Sequence, residues 1–155
     1  PVLIGQIMSS AFSQLKQAGF NYNSKTPVFF GGHSLGGIMV QNYLFDPNNK
    51  LPFSLGGLVL EGSFISRTNI DKFNKLGFPL LTLGAELDGL ARIARIAESY
   101  QILSQNKNAL VFVIPGMNHY QFSGEGNPPP NVVKNDIAPE VTNEFARARV
   151  TDTIK

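Results

Sequence analysis

Residues 28–40 read VFFGGHSLGGIMV, and the fold turns on them. Val28, Phe29 and Phe30 form an apolar, β-prone run that suits a strand. Gly31 and Gly32 follow, then His33, Ser34, Leu35, Gly36 and Gly37. Beyond them Ile38, Met39, Tyr43 and Leu44 take up helical spacing. Gly32-His33-Ser34-Leu35-Gly36 is therefore a G-x-S-x-G between a strand and a helix, the context the motif requires. A nucleophile on so tight a turn has a strained backbone, and its neighbours must be small for strand and helix to meet. The hydroxyl then stands clear of the sheet at a helix N-terminus, where free N–H groups and partial positive charge gather. The plainer reading of Ser34 is a helix cap in a glycine-rich turn. The flanking strand, the extra Gly31 and Gly37, and two later residues favour the nucleophile.

Those two residues are set by chemistry. A serine hydroxyl is a poor nucleophile at neutral pH and needs a base in hydrogen-bond reach, itself oriented by an acid. Only His33 and His119 are available as bases. His33 adjoins Ser34, and neighbours on a tight turn point apart, so packing or a local hydrogen bond is expected of it. His119, in PGMNHYQF, lies just past an apolar strand run at 109–114, the end of a strand where functional groups of open α/β sheets collect. Asp88, in GAELDGLAR, is the expected acid, with a helix N-cap as its plainer role. Glu86 lies two residues earlier, and Glu61 at the end of another strand is a second candidate acid.

GGHSLGG resembles the nucleophile elbow of the α/β-hydrolase superfamily, and Ser34, Asp88, His119 follow its Ser…Asp…His order. The short spacing is more similar to the lidless, dienelactone-hydrolase-like and chlorophyllase-like branches than to the capped ones. The resemblance implies Ser34 as nucleophile, His119 as general base, Asp88 as acid and the backbone N–H of Leu35 as one oxyanion donor. The family shows G-x-x-D where this chain has Ala85, with Gly84 just before. The likeness covers nearly the whole chain but matches only the second half of the family's fold. The family's first strands, and the loop that gives its second oxyanion donor, have no counterpart here. The expectation is one α/β domain over 1–155, partial, with a mostly parallel sheet, helices on both faces and no N-terminal strands. A missing N-terminal segment or a partner chain would complete the sheet, because Val-Phe-Phe on an open edge invites aggregation.

Outward from the turn, the pattern alternates. Residues 2–18 read as an amphipathic helix through Ile4, Ile7, Met8, Ala11, Leu15 and Ala18, with Gly19 as its stop. The turn-rich 20–27 leads to a strand at 28–31 and a helix at 35–45, which Asp46-Pro47-Asn48-Asn49 ends. Further strands are expected at 55–61, despite two internal glycines, at 79–84 and at 109–114. Within 62–78, Thr68 or Asn69 is expected to cap a two-turn helix ending near Gly77, which leaves no room for a lid domain. A helix at 89–104 would bury Leu90, Ile93, Ala94, Ala97, Tyr100 and Leu103, and one at 137–149 would bury Ile137, Val141, Phe145 and Ala148. Pro115-Gly116 reads as a turn, and 123–131, SGEGNPPPN, as unpacked loop. Unbroken apolar strands between helices favour a parallel sheet buried on both faces.

Bulk properties bound the function. Apolar residues make up 43% of the 155 and charged residues 15%, a globular balance with a core. The net charge is +2 and no Lys or Arg run suggests nucleic acid. Without cysteine there is neither a disulfide nor a thiolate metal site. No His-x-x-x-His or phosphate loop with Lys occurs, so neither a metal nor any other cofactor is expected. No 18-residue apolar run is present, so no membrane span is expected. PVLIGQIMSS lacks a basic leader and an initiator Met, as in a processed or partial chain.

The expected activity is hydrolysis of a small-molecule carboxylic ester with an apolar acyl or alcohol group, through an acyl-enzyme. Thioester or lactone cleavage and acyl transfer use the same three residues, and a hydrolase-like binding or scaffold module with an idle serine is the non-enzymatic rival.

Overall fold

The computed structural model describes residues 2–49, 51, 53–75, 78–103, 106–124 and 128–155. Four strands, β1 (Pro27–His33), β2 (Ser54–Glu61), β3 (Leu80–Ala85) and β4 (Ala109–Ile114), form one parallel sheet in the order β1-β2-β3-β4. Parallel neighbours need crossovers, and the helices between them supply these. Phe30 lies beside Leu58, Leu60 beside Thr82, and Ala85 beside Ile114. The glycines that weaken β2 on paper have a packing reason. A Cβ on Gly56 or Gly57 would come within 2.9 Å of the Phe29 ring on β1.

Helices α1 (Val2–Gln17), α2 (Leu35–Phe45) and α4 (Ile93–Leu103) cover one face. Its core joins Phe30, Tyr43, Leu58, Leu60, Phe73 and Leu80, where Leu60 is wholly buried. Each such side chain contributes roughly 1.5–3 kcal/mol through burial. The other face carries α6 (Asn143–Ile154), whose Ala146 packs with Ala85, Ile114 and Met117. α1 closes as expected, with Phe20 N–H donating to Leu15 O and Gly19 N–H to Lys16 O.

Four expectations are corrected. α4 begins at Ile93, not Gly89, because the Asp88 carboxylate takes the N–H groups of Leu90 and Ala91 and holds 88–91 in a turn. Its buried side is Ile96, Ser99 and Leu103, while Leu90, Ile93, Ala94, Ala97 and Tyr100 face outward. Ser99 can lie inside because its hydroxyl donates to Arg95 O and accepts from Ile65 N–H. The expected last residue, Ser104, lies outside the described residues.

α6 likewise begins late, where the Thr142 hydroxyl accepts from Phe145 N–H. Residues 137–141 stay non-helical because Asn118 donates to Ile137 O and Gln121 to Val141 O. Ala146 and Val150 face inward instead of Phe145 and Ala148, and Ile137 is exposed. Thr68 and Asn69 lie inside a 3₁₀ turn, Arg67–Asn69, that runs into α3 (Ile70–Lys75), rather than capping a helix. The expected end near Gly77 is outside the described residues. Finally, a short helix α5 (Pro130–Asn135) starts within the stretch read as loop, with proline at its first turn. Of that stretch, residues 125–127 lie outside the described residues.

Candidate active site

Ser34 sits between β1 and α2 with φ +54° and ψ −126°, and is the only non-glycine with positive φ among the described residues. Such a conformation costs on the order of 1–3 kcal/mol and persists only where the surroundings enforce it. Here Ser34 N–H donates to Glu61 O at the end of β2, 2.9 Å away. A Cβ on Gly32 would meet the Gly36 and Gly37 backbone at 2.6 Å, so only glycine lets β1 and α2 approach this closely. The Ser34 hydroxyl makes no capping bond to the helix it precedes.

The hydroxyl instead meets His119, with Oγ 2.9 Å from Nε2. The other ring nitrogen, Nδ1, lies 2.7 Å from Asp88 Oδ2. Both partners are deeply buried, His119 at 3% exposure and Asp88 at 4%. With Asp88 ionised, Nδ1–H donates to it, so Nε2 is left to accept the Ser34 proton. Asp88 Oδ1 is occupied separately by the Leu90 and Ala91 N–H groups, which fixes the carboxylate's orientation. Asp88 follows β3 and His119 follows β4, so all three groups gather at the carboxyl ends of the strands.

The loops carrying Asp88 and His119 are tied together. Leu87 N–H donates to Met117 O, and Gly116 N–H donates to Glu86 Oε2. Glu86 is thereby engaged with backbone, away from the histidine. Glu61 ends β2 with its side chain making no hydrogen bond or ion pair to the described residues, and burial raises its pKa. The His33 ring lies 4.7 Å from the His119 ring and 5.8 Å from Phe122, while its buried Nε2 has no partner among the described residues. Burial, then the neighbouring His119, lowers the pKa of His33.

Ser34 opens on a mostly apolar cavity of about 190 Å³ lined by Leu35, Ile38, Gly62, Ser63, Phe64, Leu90 and Ala91. The Leu35 N–H begins α2, at the helix end whose first N–H groups lack intrahelical acceptors. Gln41 holds one wall in place and was not singled out by the sequence. Fully buried, it donates to Gly37 O and Phe64 O and accepts from Ser66 N–H. Its only sequence signal is an amide within the apolar run of α2. Asp136 was missed as well, since it belongs to no motif. Its carboxylate accepts from Gly89, His119, Tyr120 and Ile137 N–H groups.

Among the described residues, no cluster of His, Asp or Glu could hold a metal ion, and no helix is long and apolar enough to cross a membrane.

Among solved structures, one described as a predicted CIB-like hydrolase from Thermoplasma acidophilum is 18% identical. That match covers 94% of this chain and 56% of the other, with a TM-score of 0.49. A variant of SOBER1 from Arabidopsis thaliana is 16% identical over 92% of this chain and 58% of its own, with a TM-score of 0.49. The thermophilic esterase Est2 of the Planctomycetes species Thermogutta terrifontis is 12% identical over 81% of this chain and 52% of its own, with a TM-score of 0.50. The chain thus spans little more than half the length of these structures, and at such identities the likeness concerns the fold alone. No curated protein matches the sequence at a significant level. A family model described as "Alpha/beta hydrolase family" matches residues 9–129. That match spans most of the chain and takes in the four parallel strands and the serine turn, so the chain belongs to the alpha/beta hydrolase family.

Proposed function

We propose that the protein is a serine hydrolase that cleaves carboxylic esters, with Ser34 as nucleophile, His119 as general base and acid, and Asp88 as its orienting carboxylate. The observation that carries this is the unbroken hydrogen-bonded line from Ser34 Oγ through His119 to Asp88, ending on a serine held in a strained turn. Ser34 Oγ attacks the ester carbonyl carbon as its proton passes to His119 Nε2. The tetrahedral oxyanion faces the Leu35 N–H. Collapse breaks the bond to the alcohol oxygen, which takes the proton from Nε2 and leaves. Water then attacks the acyl-enzyme carbonyl, giving its proton to Nε2, and collapse breaks the bond to Ser34 Oγ, which takes that proton back from Nε2 as the acid leaves. Asp88 holds the imidazole in the tautomer this needs and stabilises the charged ring. The apolar lining of the cavity at Ser34 favours a small-molecule ester with an apolar acyl or alcohol group.

A second oxyanion donor and a strand along the outer edge of β1 are further parts of the proposal. Both would come from a segment N-terminal to these residues or from a partner chain. No cofactor enters the reaction as proposed.

Hydrolysis of p-nitrophenyl butyrate by single variants of the protein tests the roles. Ser34→Ala should lower kcat by up to about 10⁶, with His119→Ala close to it, because members of such a group act as a unit. Asp88→Asn should cost about 10⁴ by favouring the wrong tautomer. His33→Ala, Glu61→Gln and Glu86→Gln should retain far more turnover. Undiminished turnover in Ser34→Ala, or a larger loss from His33→Ala than from His119→Ala, would overturn the assignment.

A further inference from the structure

Asp136 follows the last residue of α5, and its backbone N–H closes that helix on Val132 O. Its side chain does something else. Oδ1 accepts from Gly89 N–H at 3.0 Å, His119 N–H at 3.3 Å and Ile137 N–H at 3.2 Å, and Oδ2 accepts from Tyr120 N–H at 3.1 Å. Three of these four donors belong to the two loops that carry Asp88 and His119. Bonds from N–H to an ionised carboxylate are stronger than those to a neutral acceptor.

The placement is demanding. Gly89 N–H reaches Asp136 only because the end of α5 lies directly against residue 89. A Cβ there would overlap Asn135 O and come 2.9 Å from Asp136 Cα, so no other residue fits. On the upstream side the same two loops are joined by Leu87 N–H to Met117 O and by Gly116 N–H to Glu86 Oε2. Downstream of Asp88 and at His119 itself, the carboxylate of Asp136 supplies the join. The His119–Asp88 contact of 2.7 Å is therefore bracketed on both sides.

We propose that Asp136 is a positioning residue, a carboxylate strap that holds the main chain of the acid and base loops in register so that His119 stays aligned between Asp88 and Ser34. The proposal rests on the reading of those three residues given above. A misplacement of about 1 Å in such a group costs roughly 10²-fold in rate. The effect falls on the chemical step, since Asp136 is not among the residues lining the cavity at Ser34.

The test compares Asp136→Ala, Asp136→Asn and Ser34→Ala in the catalytically competent protein, by steady-state kinetics on p-nitrophenyl butyrate and by amide hydrogen exchange. Asp136→Ala should lower kcat about 10–100-fold with KM nearly unchanged, and speed exchange at Gly89, His119 and Tyr120 together. Asp136→Asn keeps an acceptor where Oδ1 stood, so it should recover most of kcat and free mainly the Tyr120 amide. The proposal is overturned if Asp136→Ala folds and leaves kcat within about twofold of the parent, or if Asn is as damaging as Ala. Should Asp136→Ala not fold, Asp136→Asn decides. Faster exchange at Tyr120 with a small fall in kcat supports the strap, and unchanged exchange overturns it. Ser34→Ala separates the two claims. If it abolishes turnover while Asp136→Ala does not affect kcat, only the role of Asp136 falls. If turnover survives Ser34→Ala, the three-residue reading falls first and this one with it.

Discussion

Glu61 is a carboxylate whose burial no neighbour among the described residues offsets. It ends β2 half-buried, and its carboxylate has no hydrogen-bond or ionic partner among the described residues. Burial therefore raises its pKa above the ordinary 4.5. The unfolded chain ionises Glu61 near 4.5, whereas the folded chain holds the proton to higher pH. Its contribution to stability is full below 4.5 and is lost as pH rises through the raised value. Glu61→Gln removes that loss, so thermal unfolding should show a higher midpoint than the parent at pH 8, with the gap closing below pH 4.5. A gap of constant size at both pH values would contradict this. His33 acts in the opposite sense. Its lowered pKa means that the unfolded chain takes up the proton first as pH falls below 6.5, so stability declines toward acid on its account. The sequence suggests a local role for His33 because adjacent residues on a turn diverge, and its Nε2 has no partner among the described residues. Its ring contact with His119 was not legible, since it depends on where β4 ends.

At the scale of elements, the strands read most clearly. β4 falls at 109–114 as its unbroken apolar run suggests, but it is not buried on both faces as expected: Leu110 is 68% exposed. Helix phase was harder to read. α4 and α6 carry apolar residues on more than one side, and polar partners decide which side turns inward: Ser99 is satisfied inside while Tyr100 is exposed. The outer edge of β1 carries a testable consequence. Phe29 on this edge strand is 63% exposed, its ring over Gly56 and Gly57 of β2, and the edge borders a groove of about 470 Å³ lined by Met8, Phe12, Leu15 and Phe20. The edge backbone groups of β1 are open to pairing with another chain. On the proposal that a second oxyanion donor and an edge strand come from elsewhere, residues 1–155 expressed alone should self-associate on size-exclusion chromatography and turn over ester poorly, since removing one such donor costs about 10²–10³ in rate. A longer polypeptide with further N-terminal sequence should elute as a monomer and recover turnover. A soluble 155-residue monomer with full turnover would contradict the proposed pairing.

Across the whole molecule, the candidate site was legible where chemistry restricts the residue types. Few side chains can activate a serine, and two histidines leave little choice, so Ser34, Asp88 and His119 stand out although 85 residues separate the first from the last. What holds them was not legible. Gln41 and Asp136 are common polar residues whose importance comes from buried main-chain donors and acceptors that only the folded chain brings near them. The central claim is that Ser34 is activated by His119. The direct measurement is covalent labelling by a fluorophosphonate probe, with the modified peptide located by mass spectrometry in the parent, in Ser34→Ala and in His119→Ala. The account predicts one adduct on Ser34 in the parent, none in Ser34→Ala and strongly slowed labelling in His119→Ala. An adduct elsewhere, or no labelling of a protein that turns over ester, would contradict it.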